Sequence, residues 1–194
     1  MHALIRQIRP TLMMTLVFTL ICGVAYPLLS TAIGQTAFSD KANGSLIRRD
    51  GVVVGSKLLG QSFAAPKYFH PRPSAAGAGY DGSASSGSNL GPLSADLLQA
   101  VAQRAASYRQ ENGLADDALV PVDAVTSSAS GLDPHISIAN ARLQVARVAR
   151  ERGLDIDVVE SLVTKHTDGR DLYVLGDPGV NVVELNLALD ALSP

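Results

Sequence analysis

Ser130, Asp133 and His135 lie close together in the chain and carry the side-chain types of a hydrolytic triad. Such a triad needs a histidine between the serine and the acid, each within hydrogen-bond reach. Gly131 permits a turn here and Pro134 stiffens the segment, so the spacing favours a structural or partner-binding loop over a catalytic one. A membrane-anchored extracytoplasmic hydrolase that uses these three side chains is the alternative.

Other signatures of enzymatic chemistry are missing from the sequence. No glycine-rich loop ends in Gly-Lys-Ser or Gly-Lys-Thr, and no serine has the Gly-x-Ser-x-Gly spacing. The histidines do not pair at the helical spacing of a metal site, and the single cysteine, Cys22, lies in an apolar run. The sequence therefore predicts no catalytic residue, no metal site and no cofactor bound by this chain alone.

Residues 11–33 form an uncharged, mostly apolar run. Roughly 23 residues extend about 34 Å as a helix, enough to cross a hydrocarbon core of about 30 Å. Pro27 is expected to kink this helix, because proline has no backbone N–H. A cleaved signal peptide ending near residues 30–32 is the alternative, although the run is longer than a typical signal core. We therefore expect a single-pass anchor in the plasma (inner) membrane.

Charges on either side of the apolar run predict its orientation. Arg6 and Arg9 precede it without any acidic residue, and such flanks favour the cytoplasmic side. A later pair of arginines weakens this bias without reversing it. We expect residues 1–10 to be cytoplasmic and residues 34–194 to form a soluble extracytoplasmic domain.

Residues 34–194 mix helix and strand patterns without a regular βαβ rhythm, which predicts one α+β domain. The domain has no tryptophan and no basic stripe, so we expect no nucleic-acid partner. Residues 51–55 predict a short buried strand that residues 58–59 continue, and residues 172–175 predict another. Residues 74–91, rich in Gly, Ala and Ser, predict a long loop.

Four helices are predicted from polar capping residues followed by apolar residues at helical spacing. Gly113 and Gly153 are expected to end the first two of these helices. The first helix carries Leu97, Leu98 and Val101 on a face that we expect to point toward the core. The expected N-caps, in chain order, are Ser94, Ser137, Asp155 and Asn181.

Several strings of residues, in the same order along nearly the whole chain, closely resemble the C subunit of the Kdp-type potassium-transporting ATPase. They follow an N-terminal span and are GSKLLGQSF (55–63), YFHPRPSA (68–75), SNLGP (88–92), SGLDPHIS (130–137), RVA (147–149) and NVVELNLALD (181–190). Their number and order make the resemblance far more specific than any single string.

The resemblance implies an accessory subunit of a high-affinity, ATP-driven potassium import complex, with no catalytic residues of its own. The implied partners are a potassium-translocating subunit and an ATP-hydrolysing P-type subunit, with membrane lipid around residues 11–33. In that family the C subunit is needed for assembly and stability. It is also described as a catalytic chaperone that raises the affinity of the ATP-hydrolysing subunit for ATP.

The resemblance also implies nucleotide binding by Gln144, the match to a glutamine proposed to contact ATP in that family. From the residues alone, the favoured interpretation of Gln144 is a surface residue of a helix beside an arginine-rich face. An extracytoplasmic domain would not meet cytoplasmic ATP, so ATP binding is expected only together with the ATP-hydrolysing subunit. Two roles agree with both the family resemblance and the predicted orientation: assembly of the complex, or coupling to the ATP-hydrolysing subunit through the membrane helices.

Two segments, residues 68–75 and residues 130–137, are the expected partner-binding surfaces. Tyrosine and arginine often anchor protein interfaces, although the aromatic residues of the first segment also suit the cover of a core. A stand-alone binding module for an external ligand is a further alternative. The candidate contact residues are Tyr68, Phe69, His70, Arg72, Asp133, Pro134 and His135.

Overall fold

The computed structural model describes residues 2–192, which divide into two compact units between Leu46 and Ile47. The first unit is almost entirely helical. Its stretch Arg6–Ala37 is long and apolar enough to cross a membrane, and its most apolar part has no residue buried within the protein. In chain order the unit contains α1 (His2–Phe18), a π-helical segment (Thr19–Ala25), α2 (Tyr26–Ala37) and α3 (Ser39–Ala42).

The π-helical segment ends just before Pro27. There the backbone N–H of Tyr26 donates to the carbonyl of Ile21, five residues back instead of four. Proline cannot donate to the carbonyl one turn earlier, and its ring crowds that carbonyl in a regular α-helix. A wider π turn leaves more room for it. The departure from α-helical geometry thus lies directly before the residue for which the sequence predicts a kink.

The rest of the chain combines short strands with helices, which confirms the predicted α+β class. Val180 lies at the centre of an antiparallel sheet and pairs with Ile136 on one side and Thr167 on the other. That sheet has the order β3 (His135–Ser137), β5 (Gly179–Asn181), β4 (Thr167–Asp168). A separate two-stranded sheet contains β1 (Leu46–Arg49) and β2 (Val52–Ser56).

The predicted helix caps are present. The hydroxyl of Ser137 accepts the backbone N–H of Asn140 at 3.1 Å, and the Asn181 side chain accepts that of Glu184 at 3.1 Å. Because β3 and β5 are antiparallel, with Ser137 opposite Gly179 and His135 opposite Asn181, the two caps start α6 and α8 at opposite ends of this strand pair. The helices of this unit are α4 (Ala95–Asn112), α5 (Val122–Val125), α6 (Ile138–Arg152), α7 (Ile156–Lys165) and α8 (Val182–Leu192).

Gly113 and Gly153 end α4 and α6 as predicted. Both adopt left-handed backbone conformations, with φ of 65° and 63°, and their N–H groups bond the last turn of each helix. This conformation strains any residue with a Cβ, which is why glycine commonly follows a helix.

The hydrophobic core lies where α6, α7 and α8 pack against the three-stranded sheet. Apolar side chains from the faces of these elements meet there and exclude water. Phe69, from a segment without helix or strand, is also completely buried in this core. The main buried members are Phe69, Ile136, Ala141, Val145, Val148, Val159, Val163, Val180, Val182, Leu185 and Leu189.

Some local predictions are wrong. Residues 172–175 form an exposed turn instead of a strand. Residues 58–59 only touch the end of β2 through one isolated bridge, and Val52 and Val53 of β2 are exposed instead of buried. On α4, Leu98 is exposed, and the buried residues are Tyr108 and Asn112 near its C-terminal end. In each case an apolar pattern is present but the fold places no second layer over it.

Candidate functional site

The backbone of residues 69 and 70 is held from both sides by amide side chains. Asn186 of α8 accepts the N–H of Phe69 and donates to its carbonyl, both at 2.9 Å. Gln144 of α6 accepts the N–H of His70 at 2.7 Å and donates to its carbonyl at 3.1 Å. These pairs replace the ladder bonds that a strand would supply, so the segment is ordered without belonging to a sheet.

All the hydrogen-bonding groups of the Gln144 side chain have partners within the chain. Besides its two bonds to His70, Oε1 accepts from Arg147 Nη2 at 2.8 Å and Nε2 donates to Asn140 Oδ1 at 2.9 Å. The residue is 1% exposed. Its interpretation as a surface residue of the helix is therefore wrong. An amide group offers two donors and two acceptor lone pairs, and here each one is used.

Arg147 is a buried cation surrounded by neutral oxygen atoms. Its Nε donates to Asn112 Oδ1 at 3.0 Å, and Nη1 donates to the carbonyls of Tyr68, at 2.9 Å, and Pro66. Burial lowers the pKa of Arg147, while the charge of nearby Glu111 opposes that change. A guanidinium remains protonated in proteins, so the carbonyl dipoles must replace its lost hydration. The segment before Phe69 is thus fastened to α6 through a charge.

Tyr68 is half-buried beside the core. Its hydroxyl donates to Asp190 at 3.2 Å, and its ring packs against Phe63 with centroids 5.3 Å apart. The guanidinium of Arg152 lies over the ring, 5.0 Å from its centroid, and also bonds Asp190 at 2.8 Å. Burial and the neighbouring carboxylate raise the pKa of Tyr68. Tyr68 and Phe69 therefore stabilise this unit internally.

The two expected partner-binding segments meet through Arg72 and Asp133. Arg72 Nη1 donates to Asp133 Oδ2 at 3.0 Å, and Asp133 Oδ1 accepts the N–H of His135 at 3.0 Å. Close by, the hydroxyl of Ser74 donates to the carbonyl of Gly131 at 2.6 Å. The structure thus brings residues 68–75 and 130–137 together as one packed feature, with Pro134 buried inside it.

His135 lies between two carboxylates and does not face Ser130. Its Nε2 is 2.8 Å from Asp168 Oδ2, and its Nδ1 is 3.7 Å from Asp133 Oδ1. The hydrogen bond with Asp133, followed by the contact with Asp168, raises the pKa of His135 against the effect of burial. The hydroxyl of Ser130 instead accepts the N–H of Leu132 at 3.1 Å. The chain order of a triad is present, but its hydrogen-bond relay is not.

A cleft of about 560 Å³ opens between α4 and residues 70–74. Arg104 of α4 reaches across and donates to the carbonyl of Val125 at 2.9 Å, and His70 Nδ1 lies 3.0 Å from Glu111. The walls of the cleft carry positive and negative charges together with hydroxyl and amide groups, so the cleft suits a polar ligand better than an apolar one. The principal polar lining residues are His70, Arg72, Ser74, Tyr80, Gln103, Arg104, Ser107 and Glu111.

Helix α6 carries a buried polar network that was not predicted from the sequence. Asn140, Gln144 and Arg147 follow one another at spacings of four and three residues, so they form a polar stripe on one helix face. This stripe lies beside the apolar stripe, and both are buried. The spacing was a usable signal, because a second polar row adjoining the apolar row indicates buried hydrogen bonding when another segment covers it.

Comparison with known proteins places the whole chain in one family. The family model described as KdpC, the c chain of the K⁺-transporting ATPase, matches residues 8–191. A protein named Potassium-transporting ATPase KdpC subunit from Mycobacterium bovis is 60% identical, covering 96% of this chain and 99% of its own length. Proteins of that name from Methylococcus capsulatus and Koribacter versatilis are 54% and 50% identical, covering 97% and 95% of this chain and 100% and 94% of theirs. The chain therefore belongs to the KdpC family, the c subunits of potassium-transporting ATPases.

Proposed function

We propose that this chain is a non-catalytic accessory subunit that holds an ATP-driven potassium importer together. The names of its relatives support a role in such a complex. The proposal depends on one observation: the side chains best suited to catalysis bond each other instead of facing a substrate site. Asp133 bonds Arg72, and His135 lies between Asp133 and Asp168. A surface stiffened in this way serves contact better than turnover.

The chain acts from the outer side of the inner membrane. Residues 11–33, within the long helical stretch Arg6–Ala37, are the anchor, residues 1–10 are cytoplasmic, and residues 34–194 form the extracytoplasmic domain. Arg6 and Arg9 before the apolar stretch support this orientation. The exposed apolar surface of the anchor is suited to lipid and to the helices of the potassium-translocating and ATP-hydrolysing subunits.

In this proposal the chain raises the ATP affinity of the ATP-hydrolysing subunit without contacting ATP itself. The extracytoplasmic domain stabilises one state of the assembled pump, and the change reaches the ATP-hydrolysing subunit through the membrane helices. The four internal hydrogen bonds of Gln144 support this view, because a nucleotide could reach its amide only by displacing some of them. Gln144 then orders residues 69–70 and does not contact ATP.

A topology experiment separates the indirect role from direct nucleotide binding. A cysteine tag after Pro194, with Cys22 replaced by Ser, is treated with a membrane-impermeant maleimide in intact cells. Labelling in sealed cells, with unchanged co-purification of the other subunits, is the expected result. Labelling only after lysis would place the domain beside cytoplasmic ATP and would favour direct nucleotide binding near Gln144.

A stand-alone ligand-binding module is the second candidate, and the polar cleft of about 560 Å³ favours it. A ligand that binds only the folded chain raises its melting temperature as concentration exceeds Kd. The purified full chain, without other subunits, is titrated with ATP, inorganic phosphate and potassium salts. A saturable rise that Arg104→Ala abolishes would support this candidate, whereas an accessory subunit is expected to show none.

A further inference from the structure

The connection between β4 and β5 contains an apolar turn that none of the described residues of this unit covers. Leu172, Tyr173, Val174 and Leu175 are 79%, 94%, 70% and 58% exposed. Single exposed apolar residues are ordinary on protein surfaces, but four in a row at the tip of one connection form a contiguous patch. Residues 172–175 are called the apolar turn below.

The apolar turn is held by its own backbone. Asp171 and Leu175 exchange both backbone hydrogen bonds at 2.9 Å, and the N–H of Val174 donates to Asp171 at 3.2 Å. Arg170 and Asp177 close the base with an ion pair at 3.0 Å. The tip is therefore preformed, which reduces the ordering entropy that a contact would otherwise lose.

Two adjacent residues of the turn have a backbone conformation that their side chains disfavour. Leu172 and Tyr173 have φ of 50° and 65°, the left-handed region at both central positions, as in a type I′ turn. Asn-Gly is the preferred pair at those positions, and bulky residues there are uncommon. Two large apolar residues that are both strained and exposed gain nothing from packing inside this chain. Local strain of this kind accompanies binding and other functional sites.

Charge indicates which kind of surface receives the turn. Between residues 168 and 177 the carboxylates of Asp168, Asp171 and Asp177 outnumber the single guanidinium of Arg170. Arg170 pairs with Asp177 and His135 lies against Asp168, so Asp171, at the base of the turn, leaves this rim acidic. This acidic rim is repelled by anionic lipid headgroups, which attract basic segments instead. It complements a protein pocket whose rim is basic.

We propose that the apolar turn inserts into an apolar pocket with a basic rim on another subunit of the potassium-transporting complex, with Tyr173 as its anchor. The proposal rests on the accessory-subunit function above and identifies the contact through which this chain binds the complex. Aromatic residues that fill such pockets usually carry a large share of the binding free energy. The chemistry it predicts for the partner is Arg or Lys around a hydrophobic depression.

Crosslinking identifies the molecule that the apolar turn contacts. Benzoylphenylalanine is placed at Tyr173 of the full chain, which is expressed together with the other subunits and irradiated in cells. We expect a crosslink to the potassium-translocating or the ATP-hydrolysing subunit. The same probe at Leu119, which is 91% exposed on another loop, is the matched control and is expected to give several-fold less product. Crosslinks to lipid only, to a second copy of the chain, or to nothing would overturn the proposal.

A stabilised variant separates contact from folding. Leu172→Asn combined with Tyr173→Gly supplies the preferred type I′ pair, so we expect a higher melting temperature. Loss of the Tyr173 side chain should reduce the amount of this chain that is recovered with the tagged complex about tenfold. Full recovery of this variant, with the unchanged chain also recovered, overturns the apolar-turn contact and leaves the accessory function standing. Failure of the unchanged chain to co-purify overturns both.

Discussion

Gln144 and His70 are joined by two hydrogen bonds, although 74 positions separate them in the chain. The side-chain amide of one pairs with the backbone N–H and carbonyl of the other, at 2.7 and 3.1 Å. Helix α6 thereby determines the path of a segment that has no regular structure. That path in turn sets the position of Arg72, which bonds Asp133 and joins the two candidate contact segments.

Gln144→Ala is expected to lower the free energy of unfolding by about 3 kcal/mol, because it leaves buried polar groups of His70 and Arg147 without partners. Chemical denaturation of the purified full chain, followed by circular dichroism, measures this. The matched control is Gln110→Ala on the exposed face of α4, which should change stability by about 0.5 kcal/mol or less. A loss as small as the control would mean that water replaces the Gln144 bonds.

Arg147→Ala should destabilise the domain by about 3–5 kcal/mol. The substitution removes the donors for Asn112 and two carbonyls, and it also opens a cavity in the packed interior. Arg150→Ala, on the exposed side of the same helix, provides the comparison and should be nearly neutral. Thermal melts measure the melting temperature of both variants. Equal decreases would contradict the prediction, because they would mean that burial of Arg147 adds nothing to its contribution to stability.

Gly60→Ala is expected to cost about 1–3 kcal/mol through overpacking. A Cβ at this position would lie 2.7 Å from the carbonyl oxygen of Asp133 and 2.7 Å from the ring of Tyr80. The backbone N–H of Gly60 also donates to Leu132 at 2.8 Å, so the segment cannot easily withdraw. Gly82→Ala, where a Cβ meets no atom within 4 Å, is the control for glycine replacement in the same denaturation assay.

His135 should make stability decrease as the solution becomes more alkaline. Its pKa is raised in the folded state, chiefly by the hydrogen bond with Asp133 and also by Asp168, so the folded state binds its proton more tightly. This contribution is complete below the unfolded value of about 6.5 and is lost as the pH rises through the folded pKa. Denaturation midpoints at several pH values check this, and His135→Gln should remove that part of the pH dependence.

His166 should act in the opposite direction. Burial lowers its pKa, and its Nε2 is buried without a hydrogen-bond partner among the described residues. The unfolded chain therefore binds a proton more readily, and stability should fall as the pH drops below about 6.5. His166→Gln should reduce the acid sensitivity in the same denaturation series. An unchanged acid limb would show that the ring is protonated in the folded chain too.

Local chemistry predicted the ends of the helices well. Ser94, Ser137 and Asp155 cap their helices, and Gly113 and Gly153 end theirs. These features depend on the fit between one side chain and the adjacent backbone turn. They can therefore be inferred without knowing what packs against the helix.

The candidate site was predicted less completely, because its residues act in combinations that span the chain. The candidate contact residues included His70, Arg72 and Asp133 but not Asn186, whose side chain bonds Phe69. They also left out Asn140 and Asn112, which bond Gln144 and Arg147, the two side chains of α6 that hold this segment. A buried amide and an exposed amide have the same local sequence pattern. Only the segment that covers a helix face distinguishes them.

The sequence by itself determined the long apolar N-terminal stretch, the capped starts and glycine ends of α4 and α6, the α+β class and the family, since each depends on composition or on residues near one another. Tertiary structure alone decided that Gln144 and Arg147 are buried, that His135 meets Asp168, and that residues 172–175 remain uncovered. These outcomes depend on which elements lie together in space. Hydrophobic patterning favours burial of every apolar stripe, but only packing decides which stripes find a partner.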